Sequence, residues 1–405
     1  MIAGADVVAG LDVGSTKTCA VILDGSAGET GRVLGVGLAA TEGVRSDEVT
    51  DLEATTRSVR EAVEEAEIMA GLEVDTAYVG LPGRHVEVGT SSGVVAVSGD
   101  EITRGDLERV HEVGRAVVVS PDRELLHAVP QEYAVDGRGG IQAPVGMAAT
   151  RLEAEVCVVT ASTPACRDLR SAVDRAGCIV EELVLEALAS SMAVLRERER
   201  EAGVALVEVG GSATELAVFR DGKIRHLASL PWGGHTVTSD VVKGLGVPLD
   251  EAERLKRRAG VARTDRVDPD ERVEVRGVAS GTPRQVSREL LAHIIEQRLD
   301  EILGLVYDEL SEHDLREDLD AGVVLSGGGA GLPGTVDLAQ SVFNLPVRLG
   351  RPGEGLSGFA DAVRKPKFAT GVGLALYGRQ RERHGAGGTA GRVLARMTDW
   401  LRDFF

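Results

Sequence analysis

The chain is poor in aromatic side chains, 3% of its residues, so any core it builds must be largely aliphatic. Three of these few, Trp400, Phe404 and Phe405, crowd into the C-terminal end. No run approaches the roughly 20 apolar residues of a membrane span. No signal peptide is expected, because Asp6 interrupts the apolar start and no basic region precedes it. Positive charge is in deficit, with 45 Lys and Arg against 64 Asp and Glu for a net charge of −19. That argues against a nucleic-acid partner, which wants a basic face, and against direct adhesion of the body to an anionic membrane. The four cysteines, Cys19, Cys157, Cys166 and Cys178, show no metal-ligand spacing and sit mostly in apolar runs. They read as buried, reduced thiols of a cytoplasmic protein. The eight histidines are dispersed without a paired pattern, so no zinc site is expected.

What the chain does have is one motif twice. Gly10-Leu11-Asp12-Val13-Gly14-Ser15-Thr16-Lys17-Thr18-Cys19 and Leu206-Val207-Glu208-Val209-Gly210-Gly211-Ser212-Ala213-Thr214-Glu215 share an order of apolar run, acid, apolar residue, small turn and second apolar run. Each predicts a β-hairpin whose first strand ends in a carboxylate. Backbone N–H groups of such a turn cradle an anion. Two copies, opening two halves of the chain, predict a duplicated fold that grips a phosphate chain from both sides.

At 405 residues the chain has room for two or three domains. Strands are expected at 7–13, 18–23 and 32–38, a helix from about Asp51 to Ala70 stopped by Gly71, and a strand at 76–81. Between Gly83 and Ala161 the texture changes to short alternating strands (85–88, 93–97, 124–129, 152–160) around one helix, 104–117, with Thr103 as N-cap. This predicts a small inserted α+β domain. His127, in one of these strands, has no nucleophile or acid at useful spacing and reads as a strand-surface side chain. Helix 164–176, strand 178–184 and a helix from about Glu186 follow, and the charged run Arg196–Glu201 reads as a solvated helix end. The second hairpin brings strands at 204–209, 214–219 and 223–230. A long, loop-broken helical region is expected over 235–311. After it come a strand at 321–325 running into Gly327-Gly328-Gly329, a helix at 335–342, a strand at 346–349 and a last core helix near 368–378.

The two acidic hairpins and the triple-glycine turn resemble the nucleotide motifs of the actin, sugar-kinase and DnaK-type chaperone ATPases. Within that group, Val129-Pro130-Gln131-Glu132-Tyr133 with Gly140-Ile141 and Pro144-Val145-Gly146-Met147 resembles the bacterial cell-division family FtsA. So do Leu188-Ala189-Ser190-Ser191, Glu253-Arg254-Leu255-Lys256, the placement of the insert and the C-terminal helix. The resemblance spans about residues 7–405. It implies an α/β, actin-like (ribonuclease H-like) duplicated two-domain ATPase fold. The expected parts are domain I at 1–82 and 162–203, the inserted subdomain at 83–161 and domain II at 204–378. A flexible linker at 379–391 and an amphipathic helix at 392–405 complete it.

The resemblance further implies ATP and Mg²⁺ as cofactors. Gly14, Ser15, Thr16 and Lys17 would wrap one side of the β- and γ-phosphates, and Gly210, Gly211 and Ser212 the other. Asp12 and Glu208 would act through Mg²⁺ and its waters, since like charges keep them off phosphate. Glu186 matches the position that orients the attacking water; a carboxylate favoured at a helix N-terminus is the alternative. Gly327, Gly328 and Gly329 would admit the adenosine and α-phosphate. Glu253 and Lys256, three apart on a helix face, would meet ribose and adenine, or form a surface ion pair. The family usually has Asp where Glu208 stands and a Gly-Thr pair near Ser212-Ala213. The longer acid and the missing hydroxyl, for which Thr214 is one displaced substitute, predict nucleotide binding with slow or absent hydrolysis.

In the tail, Val393, Leu394, Met397, Trp400, Leu401, Phe404 and Phe405 fall on one helical face. Arginines 379, 381, 383, 392, 396 and 402 outnumber Glu382, Asp399 and Asp403, so the segment is locally basic. Such a helix lies in a lipid interface; docking on the protein's own core is the alternative. One tail is a weak anchor, whereas several on a polymer bind firmly through effective concentration. The resemblance then implies a protein that polymerises on the cytoplasmic membrane face at the septum. Its partners would be itself, membrane lipids, the tubulin-like FtsZ and other divisome proteins. The rival readings are a PilM-like pilus-assembly protein and a small-molecule kinase of the same superfamily.

Overall fold

The computed structural model describes residues 7–26, 31–117, 119–277 and 283–385. Two sheets form its frame, and they are built alike. In the first, the strand Val7–Val13 pairs antiparallel with Lys17–Asp24, which pairs antiparallel with Arg32–Ala40. On its other side Val7–Val13 runs parallel to Thr76–Leu81, which is followed by Ile179–Leu185. In the second, Val204–Val209 pairs antiparallel with Thr214–Arg220 and that strand with Lys223–Leu230, while Val323–Ser326 and Val347–Leu349 continue in parallel. Each sheet therefore has the strand order third, second, first, fourth, fifth; Ser357–Gly358 is added to the edge of the first.

The central strands are apolar and almost wholly buried, because helices cover both faces. Helix Leu52–Ala70 is capped by the Asp51 carboxylate, which accepts from the Ala54 N–H, and ends at left-handed Gly71. Helix Ala369–Gly385 lies against Val7–Val13 and helix Glu186–Val194. The approach is close: a Cβ on Gly373 would stand 1.8 Å from the Ala189 carbonyl oxygen.

The insert is a four-stranded antiparallel sheet in the order Val86–Ala96, Arg151–Ser162, Arg123–Val135, Arg138–Ile141. One helix, Arg104–Arg115, carries a Thr103–Asp106 capping box.

Five expectations are corrected. Strand Arg123–Val135 runs through Pro130 because a bulge opposite Glu155 and Val156 absorbs the missing N–H. His127 is fully buried rather than on a strand surface, and burial lowers its pKa to about 4. Glu199, in the charged run, is also buried, gripped by Arg348 Nε at 2.7 Å and Nη2 at 2.5 Å. The region expected as broken helix contains a hairpin, Arg272–Arg276 with Pro283–Ser287. The last core helix passes Gly378 and continues to Gly385, with Arg379 buried and Arg381 Nη2 3.1 Å from Glu182. The expected linker therefore starts inside this helix. Its remainder and the amphipathic face Val393, Leu394, Met397, Trp400, Leu401, Phe404 and Phe405 lie outside the described residues. Among the described residues no helix is long and apolar enough to cross a membrane.

Candidate nucleotide cleft

Both hairpin turns close in the same way. The Gly14 N–H donates to the Lys17 carbonyl at 3.1 Å, and the Gly210 N–H to the Ala213 carbonyl at 2.9 Å. The turns face each other: a Cβ on Gly211 would stand 2.2 Å from Thr16 Oγ1 and 2.9 Å from Ser15 Oγ. Thr16 Oγ1 also lies 3.1 Å from His235 Nε2, a polar link across the two halves. Helix Gly234–Leu245 starts on the second turn, its Gly234 and His235 N–H groups donating to the Gly210 and Gly211 carbonyls.

Between the turns lies a cleft of about 480 Å³. Asp12, Gly14, Ser15, Thr16 and Lys17 line one wall, and Glu208, Gly210 and Gly211 the other. Glu186 stands at its floor, Glu253 and Lys256 at the far end, and Gly327, Gly328 and Gly329 alongside. Of the residues expected here, Ser212 does not line the cleft. Gly327 is required by its backbone: φ is +81°, and a Cβ would stand 2.5 Å from the Val209 carbonyl oxygen.

The charges are unevenly held. Lys17 is paired with Asp12. Burial pushes its ammonium toward neutrality, but Asp12, with Cys19 and Glu208 adding, outweighs this and keeps the pKa above the ordinary lysine value. Glu208 has no cation partner of this kind; Ser190 Oγ donates to one of its oxygens at 2.5 Å and Thr370 Oγ1 to the other at 2.8 Å. Burial still raises its pKa, with Asp12 adding repulsion against the two hydroxyls. Glu186 is raised well above the ordinary carboxylate range, by burial first and then by Asp12, Glu215, Glu208 and Asp47. Its Oε1 is buried without a hydrogen-bond partner. At the far end Lys256 Nζ contacts Glu253 at 2.7 Å, Thr238 Oγ1 at 2.7 Å and the Gly234 carbonyl at 2.9 Å. This is a half-sunken pair at the rim of the cavity, not a surface ion pair.

Sequence reasoning missed Glu215, Asp47, His235, Lys367 and Thr370, all of which line the cleft. Glu215 is buried, accepts from Ser229 Oγ at 2.8 Å, and is pushed up to about 8 by burial, with Asp47 and Glu208 adding to the rise. Its signal was available: Glu215 pairs with Glu208 across the second hairpin as Cys19 pairs with Asp12 across the first. Thr214 does not replace the missing hydroxyl, since it is fully buried and donates to the Trp232 carbonyl at 2.7 Å.

The cleft fits a nucleotide with a divalent cation. Six carboxylates line one cavity; Glu253 is paired with Lys256, and a cation relieves both the repulsion among the other five, Asp12, Asp47, Glu186, Glu208 and Glu215, and the orphaned Glu186 oxygen.

Comparison with known proteins decides the family. The family described as "Cell division protein FtsA" matches residues 205–373, and "SHS2 domain inserted in FTSA" matches residues 83–160. The "Cell division protein FtsA" of Pseudomonas aeruginosa is 38% identical over 94% of this chain and 91% of its own length. That of Neisseria meningitidis is 37% identical over 98% of both. The chain belongs to the FtsA family. Its actin-like ATPase fold is shared more widely. A "PilM-PilN type IV pilus biogenesis complex" superposes with a TM-score of 0.66 at 18% identity, covering 92% of this chain and 98% of that one. MreB5 of Spiroplasma citri bound to ADP gives 0.57 at 14% identity, covering 94% and 99%. The pilus protein is thus a neighbour in fold, whereas the FtsA relationship extends through sequence over nearly the whole chain, insert included.

Proposed function

We propose that this FtsA-family protein binds ATP with Mg²⁺ between its hairpins and polymerises on the cytoplasmic face of the cell membrane. There it tethers FtsZ and other division proteins to the septum, held to lipid by the helical face of residues 392–405. The observation that carries the nucleotide reading is the meeting of two anion-cradling turns across one cleft, with Lys17 on one wall and a carboxylate floor beneath. ATP is named as the ligand because the family resemblance implies it and Gly327–Gly329 line the same cleft as the two turns.

In this reading the N–H groups of both turns and the Lys17 ammonium hold the phosphates, and the two glycine-lined walls exclude water from them. Asp12 and Glu208 would hold Mg²⁺ through its waters, and the ion would supply neutralising charge there. Glu186, raised above the ordinary carboxylate range by burial and the neighbouring acids, is the group that would orient a water at the phosphates. Glu208 has both oxygens engaged by Ser190 and Thr370, and no hydroxyl stands at Ala213. These features support tight binding with at most weak hydrolysis.

Two experiments test the reading. Calorimetric titration with ATP and Mg²⁺ should give one site per chain; no binding at millimolar ATP refutes the nucleotide assignment. Co-sedimentation with anionic liposomes should retain the full chain and lose a chain ending at Gly385. The cut belongs there, since ending at Gly378 would remove Arg379 and Arg381 from the body. Lipid binding undiminished in the shortened chain refutes the anchor.

A further inference from the structure

Away from the cleft, His226, Glu309 and His313 converge. His226 stands on the edge strand Lys223–Leu230 of the second sheet, directly beside the bulge at Val218 and Phe219. Glu309 lies in the last turn of helix Arg288–Glu312, and His313 is that helix's C-cap, four residues on. Both imidazoles turn their Nε2 to the same carboxylate oxygen: His226 at 2.8 Å and His313 at 3.3 Å from Glu309 Oε1. All three ligand atoms lie within 4.8 Å of one another, and the two rings stack with centroids 4.4 Å apart.

We propose that these three residues form a divalent transition-metal site, with Zn²⁺ as the fitting ion. Two imidazoles and one carboxylate are a zinc donor set, and bonds of about 2.0–2.2 Å give a tetrahedron with edges of roughly 3.3–3.5 Å. The two N–O spacings, 2.8 and 3.3 Å, lie at or just under that edge. His226 and Glu309 are held, with side chains 17% and 23% exposed, while His313 at 51% is free to swing the last few tenths of an ångström. The solvent side leaves a fourth position for water or for a ligand from a second protein. Sequence spacing does not reveal this cluster, because His226 comes from a strand 83 residues before Glu309. A bound ion would staple the end of helix Arg288–Glu312 to the sheet edge.

The test uses untagged full-length protein stripped with chelator, free of nucleotide, in excess Mg²⁺ to occupy the acid cleft. Titration with Zn²⁺ alone should show one site per chain, and Co²⁺ alone should give tetrahedral visible bands without a thiolate charge-transfer band. Glu309→Gln and His313→Gln should each weaken binding at least tenfold, and Zn²⁺ should raise the unfolding temperature of the parent chain but not of His226→Ala/His313→Gln. Unchanged Zn²⁺ affinity in that double variant, or a thiolate band that persists in it, overturns the proposal. So does the absence of any saturable site up to about 100 μM Zn²⁺, which would leave a hydrogen-bonded His–Glu–His cluster only. The single Glu309→Gln and His313→Gln variants carry the test should His226→Ala fail to fold.

Discussion

The two hairpins are the same device with different charges. Superposed on their acids, Asp12 on Glu208, they place Lys17 opposite Ala213 and Cys19 opposite Glu215. The first hairpin is thus a neutral couple, Lys17 held to Asp12. The second carries two acids, half-buried Glu208 and buried Glu215, with hydroxyls from Ser190, Thr370 and Ser229 rather than a cation as their partners. Identical backbone geometry therefore does not mean identical work. The first turn brings the fixed positive charge; the second brings the need for a mobile one.

The largest effect expected from breaking this asymmetry is at Lys17. Lys17→Ala removes the cation that lines the first turn and strands a buried Asp12, and, if the nucleotide reading holds, should cost about a hundredfold or more in ATP–Mg²⁺ affinity by calorimetry. An affinity within threefold of the parent would mean that the first turn does not hold phosphate. Making the second hairpin conform to its family should act the other way. Glu208→Asp combined with Ala213→Thr shortens the acid and restores a hydroxyl, and should raise the single-turnover hydrolysis rate about tenfold. A rate that stays put would place the block outside this hairpin.

The acids of the second hairpin also predict a pH dependence, and its sign is fixed. Glu215 titrates near 8 in the fold against 4.5 in a free chain. Between those values the native state holds the extra proton, so stability falls as pH rises from about 4.5 to 8 and is not lost on the acid side. Without nucleotide or divalent ions, the unfolding temperature should drop by several degrees across that window. Glu215→Gln should flatten the drop and stand above the parent at pH 8 while matching it near pH 4.5. A Glu215→Gln curve that runs parallel to the parent's over the window would contradict the burial of Glu215, since other buried groups such as His127 shift both curves alike. The smallest effect belongs to the link between the turns. Thr16→Val deletes the hydrogen bond to His235 and should weaken nucleotide binding two- to fivefold by titration, with no change in unfolding temperature beyond a degree or two.

What was legible in the sequence was what is local. The hairpins, Thr103 as a cap and Gly71 as a stop all work within a few residues, so spacing alone exposes them. Asp12, Lys17, Glu208 and Glu186 followed because the strand ends carry them to one cavity. The cleft's other residues arrive from elsewhere: Asp47 from the loop after the third strand, Lys367 and Thr370 from the start of the last helix, more than a hundred residues past the second hairpin. No periodicity announces such a meeting. Pro130 misled for the opposite reason, since a proline ordinarily ends a strand and only the bulged partner makes room for it. Arg379 and Arg381 read as linker because charge suggests solvent, yet Glu182 and the body take them in.

Helix Ala369–Gly385 joins two places that chemistry alone would keep apart. Thr370, in its first turn, touches Glu208, and its far end leads into the residues beyond 385. Seventeen residues of helix make a stiff rod of roughly 25 Å, wedged without slack against the Ala189 backbone. A tug on whatever follows Gly385 is therefore delivered, undamped, to the back wall of the cleft, and a shift of that wall travels outward along the same lever.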